Sequence, residues 1–167
     1  LTDVFVRCGF EVLDVVRGYD DQFIGIEAVV TPRNTQASAS AWREVETLKT
    51  QVDAWSENFE RTMETWREHL QRMEAKGQTG VLWGAGAKAV GFLNMLEIGS
   101  DQIGAVVDIK PNKQGKYIAG TGQLIIGPEQ LSAHAPDVIV IMNPIYRKEI
   151  QETVRSLGFS VDYLLAS

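Results

Sequence analysis

The stretch Gly84-Ala85-Gly86-Ala87-Lys88-Ala89 has the form G-x-G-x-x-G/A and follows the apolar run Gly80-Val81-Leu82-Trp83. The two glycines permit a tight turn and close approach of the backbone to a ligand. A helix starting there would offer unpaired N–H groups to a phosphate. Asp108 closes the next apolar run, about 20 residues on, where a carboxylate suits a ribose hydroxyl. No Gly-Lys-Ser/Thr follows, so this is not a Walker A loop. Gly84, Gly86, Lys88 and Asp108 are thus candidate contacts for a nucleotide-type ligand. The competing reading is a tight strand-to-helix turn that holds nothing.

A second cluster follows Asp108. The loop Ile109 to Gly122 carries Lys110, Lys113, Lys116 and Tyr117 among three glycines, in a chain that is acidic overall. Ligands of parallel sheets bind at the carboxyl ends of strands, where such a loop emerges. Lys113 and Lys116 would neutralise a diphosphate, and Tyr117 would stack on a base or sugar. Gln114 and Thr121 are further candidate contacts on this loop, and a plain solvated loop is the alternative. A third cluster is Met142-Asn143-Pro144-Ile145-Tyr146-Arg147. Asn143, Tyr146 and Arg147 would reach a sugar or phosphate, but Asn143 serves equally well as a helix N-cap. For catalysis little offers itself. His69 lies among charges and His134 precedes Ala135-Pro136, so both read as structural or solvated, with no nucleophile–base pair and no set of metal ligands.

These clusters need a scaffold. Apolar runs at 80–83, 103–108, 124–126, 137–142 and 161–165 alternate with helical stretches near 87–98, 128–134 and 145–157. Strands apolar throughout and separated by helices imply a parallel sheet covered on both faces. Residues 78–167 are therefore expected to form a Rossmann-like five-stranded α/β domain. Before it, Trp42, Val45, Leu48, Val52, Trp55, Phe59, Met63, Trp66, Leu70 and Met73 recur at steps of three or four. That spacing predicts one amphipathic helix over 41–77, about 35 residues and about 50 Å long. Ser40 is a candidate N-cap and Lys76-Gly77 a C-terminal stop. Its apolar stripe would pack on another domain or on the same helix of a second subunit. Residues 31–40 read as a polar linker, and residues 1–30 as a strand hairpin turning at Arg17 to Asp21. Two strands are marginal alone and should complete a larger sheet.

Composition narrows the function. The 167 residues hold 16 basic and 22 acidic side chains, a net charge of −6. That balance disfavours nucleic acid and anionic membrane as partners. No apolar run approaches the roughly 18 residues of a membrane span. A single cysteine, Cys8, makes no internal disulfide and points to a reducing cytoplasm. The chain opens at Leu1 on residues that read as mid-domain strands, so a fragment of a longer protein is expected.

Leu82 to Ala89, Val107 to Tyr117 and Asp137 to Arg147 together resemble the C-terminal domain of sugar C-methyltransferases that use S-adenosylmethionine. The opening segments Cys8 to Val12 and Asp21 to Ala28 resemble the last strands of the class I methyltransferase domain that precedes it. The resemblance implies a zinc-binding N-terminal domain and an S-adenosylmethionine domain upstream, with the hairpin left over from the latter's sheet. It also implies a C-terminal domain that helps anchor a nucleotide-linked sugar, while a base elsewhere removes a proton beside a keto group before methyl transfer. This chain would then hold no catalytic residue and no cofactor of its own, its methyl donor bound outside it. One departure bears on the ligand. Family members commonly carry Pro-Gly-Thr-His-Ile-Pro where this chain has Ala119-Gly120-Thr121-Gly122-Gln123-Leu124, so the resemblance leaves sugar and base open.

Two other readings compete. An NAD(P)-binding oxidoreductase would use the glycine loop and Asp108, yet no Tyr-x-x-x-Lys or histidine acid–base set accompanies them. An interaction module would dimerise through the 41–77 helix and bind nothing.

Overall fold

The computed structural model describes residues 1–31 and 41–166, with the side chains of 41–45 left aside. Most of the expected 31–40 linker, the Ser40 cap and the Trp42 and Val45 side chains lie outside the described residues. The chain divides into two compact units, Leu1–Glu57 and Asn58–Ser167.

In the first unit β1 (Phe10–Gly18) pairs antiparallel with β2 (Phe23–Val30), as the alternation of strand and turn residues predicts. Tyr19, Asp20 and Asp21 all take positive φ, between 54° and 59°, and turn the chain between them. The opening residues differ from expectation. Thr2–Arg7 form a short helix, α1, rather than a strand. Gly9, at φ 86°, stops it, and the rings of Phe5 and Phe10 meet edge to face at 5.4 Å. Leu13, Val16, Phe23, Ile24 and Val30 are exposed on the hairpin.

The long helix, α2, runs over Ala41–Ala75, close to the predicted span. In the second unit come β3 (Gly80–Trp83), α3 (Ala87–Met95), β4 (Ile103–Val107), β5 (Leu124–Ile126), β6 (Val138–Ile141), α4 (Arg147–Ser156) and β7 (Asp162–Leu165). The helical stretch expected near 128–134 is a 3-10 helix at Pro128–Ala133, and a second, Pro144–Tyr146, leads into α4. The five strands are parallel in the order β5-β4-β3-β6-β7. This is the expected Rossmann-like five-stranded parallel sheet, with the order reversing between β3 and β6.

Alternate strand residues feed two cores, as period-2 geometry requires. Leu82, Val106 and Val140 join Ala89 and Leu93 of α3, while Val81, Trp83, Ile139 and Ile141 join Ile150 and Val154 of α4. The α3 face is too wide for α3 alone. Trp66, Leu70 and Met73 of α2 complete it, with Trp66 edge-on to Phe92 at 4.8 Å. The C-terminal part of the stripe thus packs on this domain's own core, whereas Leu48, Val52 and Trp55 stay exposed.

The outer edge of β5 is covered by the chain itself. Gly115 donates to the Ile125 carbonyl, Ile125 to that of Lys116, and Ile118 to that of Gln123, so residues 115–118 run antiparallel along it. No described helix is long and apolar enough to cross a membrane.

Trp66 is 6% exposed, so truncation opens a cavity in a closed core. Trp66→Ala should lose about 3–5 kcal/mol in urea unfolding, whereas Val52→Ala should stay within about 0.5 kcal/mol. Equal losses would mean that both halves of the stripe are buried in the protein.

Candidate functional site

A cleft of about 460 Å³ opens at the carboxyl ends of β3, β4 and β6, beside the point where the strand order reverses. Its lining brings together Gly84, Gly86, Lys88, Asp108, Lys113, Asn143 and Tyr146 from the three sequence clusters. The sheet register explains the meeting, because Trp83 pairs with Val107 on one side and Ile141 on the other. The residues following those three strand ends therefore emerge side by side.

The first glycine is needed for the turn itself. Gly84 has φ 112°, a conformation that L side chains rarely adopt. Gly86 is different. Its φ of −105° suits any residue, and a Cβ there would meet nothing within 4 Å. It precedes α3, whose first turn has no side-chain cap. The N–H groups of that turn lack intrahelical acceptors and carry the positive end of the helix dipole.

Asp108 is buried, and its carboxylate is already engaged by the protein. Oδ2 accepts from the Ala85 N–H at 3.0 Å and from Lys113 Nζ at 2.8 Å, and Oδ1 accepts from the Lys110 N–H at 2.9 Å. Lys113 Nζ also donates to the Ala85 carbonyl at 2.7 Å. Two of the three ammonium donors are thus used to clamp the glycine loop. Burial pushes the Asp108 carboxyl upward. The hydrogen bonds from Lys113, Lys110 and Ala85, with the Lys113 charge, outweigh it and hold the group below the ordinary 3.8.

The other candidates sit as follows. Gln114 donates to the Asp108 carbonyl at 3.0 Å, steadying the loop from behind. Lys116 and Tyr117 belong to the segment along the β5 edge, exposed and outside the cleft lining. Thr121 donates to the side chain of buried Gln123, which in turn donates to the Ile98 carbonyl. Asn143 accepts from the Ile145 N–H at 3.3 Å and caps the 3-10 turn, one of its two expected roles. Arg147 begins α4, exposed and outside the lining. The histidines are both half-buried, His69 beside Trp66 and His134 closing the 3-10 helix.

Sequence reasoning missed one wall. Trp83, Ile109, Met142 and Ile150 make an apolar lining, with Glu149 and Thr153 of α4 beside them. Ile150 and Val154 anchor α4 in the core, so the 149–153 turn is the part of the helix that borders the cleft. No group of metal-ligating side chains occurs among the described residues.

Fold and cleft define an open α/β domain of the Rossmann-like kind, with a cleft at the carboxyl ends of its parallel strands. The family model for the C-methyltransferase C-terminal domain matches residues 31–158, and the chain belongs to that family. No curated protein matches it. Among solved structures, the crystal structure of RSP, a Rex-family repressor, aligns at 12% identity over 80% of this chain and 82% of that one. The TM-score of that alignment is 0.38.

The Asp108 clamp has a pH signature. A carboxyl held below its unfolded value contributes stability above about pH 4, and loses it as pH falls through the lowered value. Asp108→Asn should flatten the fall in urea-unfolding stability below about pH 4. Lys113→Met should cost roughly 1.5–3 kcal/mol near neutrality, because it strips a buried charge of its partner. It should also raise the Asp108 carboxyl, as followed by side-chain NMR. An unmoved titration would show that the pair does not form in solution.

Proposed function

We propose that this domain anchors a phosphate-bearing substrate, a nucleotide-linked sugar, for methylation at carbon by a methyltransferase domain upstream in the same protein. The observation that carries the reading is Gly86. Backbone geometry does not require a glycine there and no neighbour crowds it, yet it stands over the cleft at an uncapped helix start. What a missing side chain provides at that point is close approach of a phosphate to backbone N–H groups. Lys88 and Lys110, also in the lining, supply charge beyond the neutralised Asp108–Lys113 pair. The apolar slot beyond suits a base or a sugar face.

S-adenosylmethionine supplies the methyl group in such reactions, and this cleft does not fit it. With Asp108 neutralised by Lys113, the lining offers Lys88 and Lys110 against Glu149. That balance repels a sulfonium and ammonium cation and favours an anion. The methyl donor is therefore assigned to the upstream domain. There the chemistry would occur, while this domain holds the non-reacting end of the substrate. Binding energy gathered here fixes the reacting carbon in place.

The apolar surface left on the hairpin supports its reading as outer strands of the upstream sheet. The exposed stretch of α2 would seat that domain or a second copy of the chain. Exposed, unpaired Cys8 and the acidic net charge support a cytoplasmic protein that does not bind nucleic acid. A dinucleotide reading is weakened because Asp108 already accepts three hydrogen bonds from the protein.

Gly86→Val should abolish calorimetrically detected binding of nucleoside diphosphates while leaving the unfolding transition unchanged. Lys88→Ala with Lys110→Ala should weaken binding about tenfold, less so at high salt, and Lys116→Ala should have no effect. Undiminished binding by the Gly86 variant would remove the phosphate from this loop.

A further inference from the structure

The cleft contains two carboxylates, and only one of them is committed to the fold. Asp108 occupies the strand-end position from which a sugar hydroxyl would be bound, but it is consumed by Ala85, Lys110 and Lys113. Glu149 lines the same cleft from α4, whose core contacts lie on the other face of the sheet from those of α3. Among the described residues its carboxylate has no ion-pair or hydrogen-bond partner. Thr153, also in the lining, stands one helical turn further on. Its hydroxyl proton is already donated to the Glu149 carbonyl at 2.9 Å. Toward the cleft, therefore, both side chains offer acceptors and no donor. The opposite holds at the glycine loop, where backbone N–H groups and lysine ammoniums offer donors. A ligand that satisfies the whole cleft must be acceptor-rich at one end and donor-rich at the other.

We propose that Glu149, with Thr153, reads a pair of neighbouring sugar hydroxyls on the substrate, taking the part that the strand-end acid Asp108 cannot. The proposal rests on the phosphate-anchoring reading above and adds the specificity-determining residue. The hydroxyls donate to Glu149 and Thr153, while the attached diphosphate reaches the start of α3. The pair could come from the ribose of the nucleotide or from the hexose it carries. Either source presents the same chemistry to α4.

The test is calorimetric titration of the whole protein with four probes: UDP, ADP, 2′-deoxy-UDP and UDP-glucose. Wild-type protein is compared with Glu149→Ala, whose exposed, helix-favouring position keeps the fold intact, and with Gly86→Val. If the ribose is read, 2′-deoxy-UDP binds about tenfold more weakly than UDP to wild type, and Glu149→Ala erases the difference. If the hexose is read, UDP-glucose binds more tightly than UDP, and Glu149→Ala erases that gain instead. Should all probes bind Glu149→Ala as they bind wild type, while Gly86→Val abolishes binding, the hydroxyl assignment falls and the phosphate anchor stands. Should no probe bind wild type, both fall together.

Discussion

The Asp108–Lys113 ion pair holds together the loops at the carboxyl end of this domain's sheet. One carboxylate gathers the N–H of Ala85 from the glycine loop, the N–H of Lys110 from the β4 exit and the ammonium of Lys113. The same ammonium returns to the Ala85 carbonyl, so this one peptide residue is gripped through both its polar groups. A shielded pair of this kind adds little net stability once desolvation is counted. What it supplies is shape. Three segments are tied to one another by the fold alone, and groups ordered in advance cost less to order in any contact they make.

That arrangement divides labour within the cleft. The strand-end acid that would face a sugar in a dinucleotide-binding fold is turned inward as a fastener, and the loop lysine is turned with it. The groups left with spare capacity in the cleft are the start of α3, Lys88, Lys110 and the acceptor pair on α4. The apolar slot between them is formed by residues that also close the α4 core, such as Trp83 and Ile150. Cleft wall and folding core are therefore continuous here.

Much of the architecture was legible in the sequence because it rests on periodicity. Steps of three and four delimited α2 to within a few residues, and apolar runs located all five parallel strands. Thr2–Arg7 give no helical signal, because Val4 and Val6 favour strands and the left-handed Gly9 that ends the helix looks like any loop glycine. Nothing in the spacing marks where the α2 stripe passes from exposed Trp55 to buried Trp66, since a helix repeats identically whether or not a sheet lies beneath it. The site was legible at the level of clusters only. A strand-end acid looks the same whether it meets a ribose or a lysine five residues later. Glu149 and Thr153 were hidden for a related reason. Their proximity to the cleft is fixed by Ile150 and Val154 seating α4, a tertiary fact without a local signature.

Residues 115–118 have a meaning beyond ligand chemistry. A parallel sheet exposes unpaired backbone groups along both margins, and such margins invite pairing with another chain. By laying its own loop along β5, this domain closes one margin with covalently attached backbone and places the charged Lys116 on the outside. The remaining margin is β7, four residues long and opened by Asp162. Within this sheet, the open edge available for pairing is thereby reduced to a short strand with a charge at its entrance.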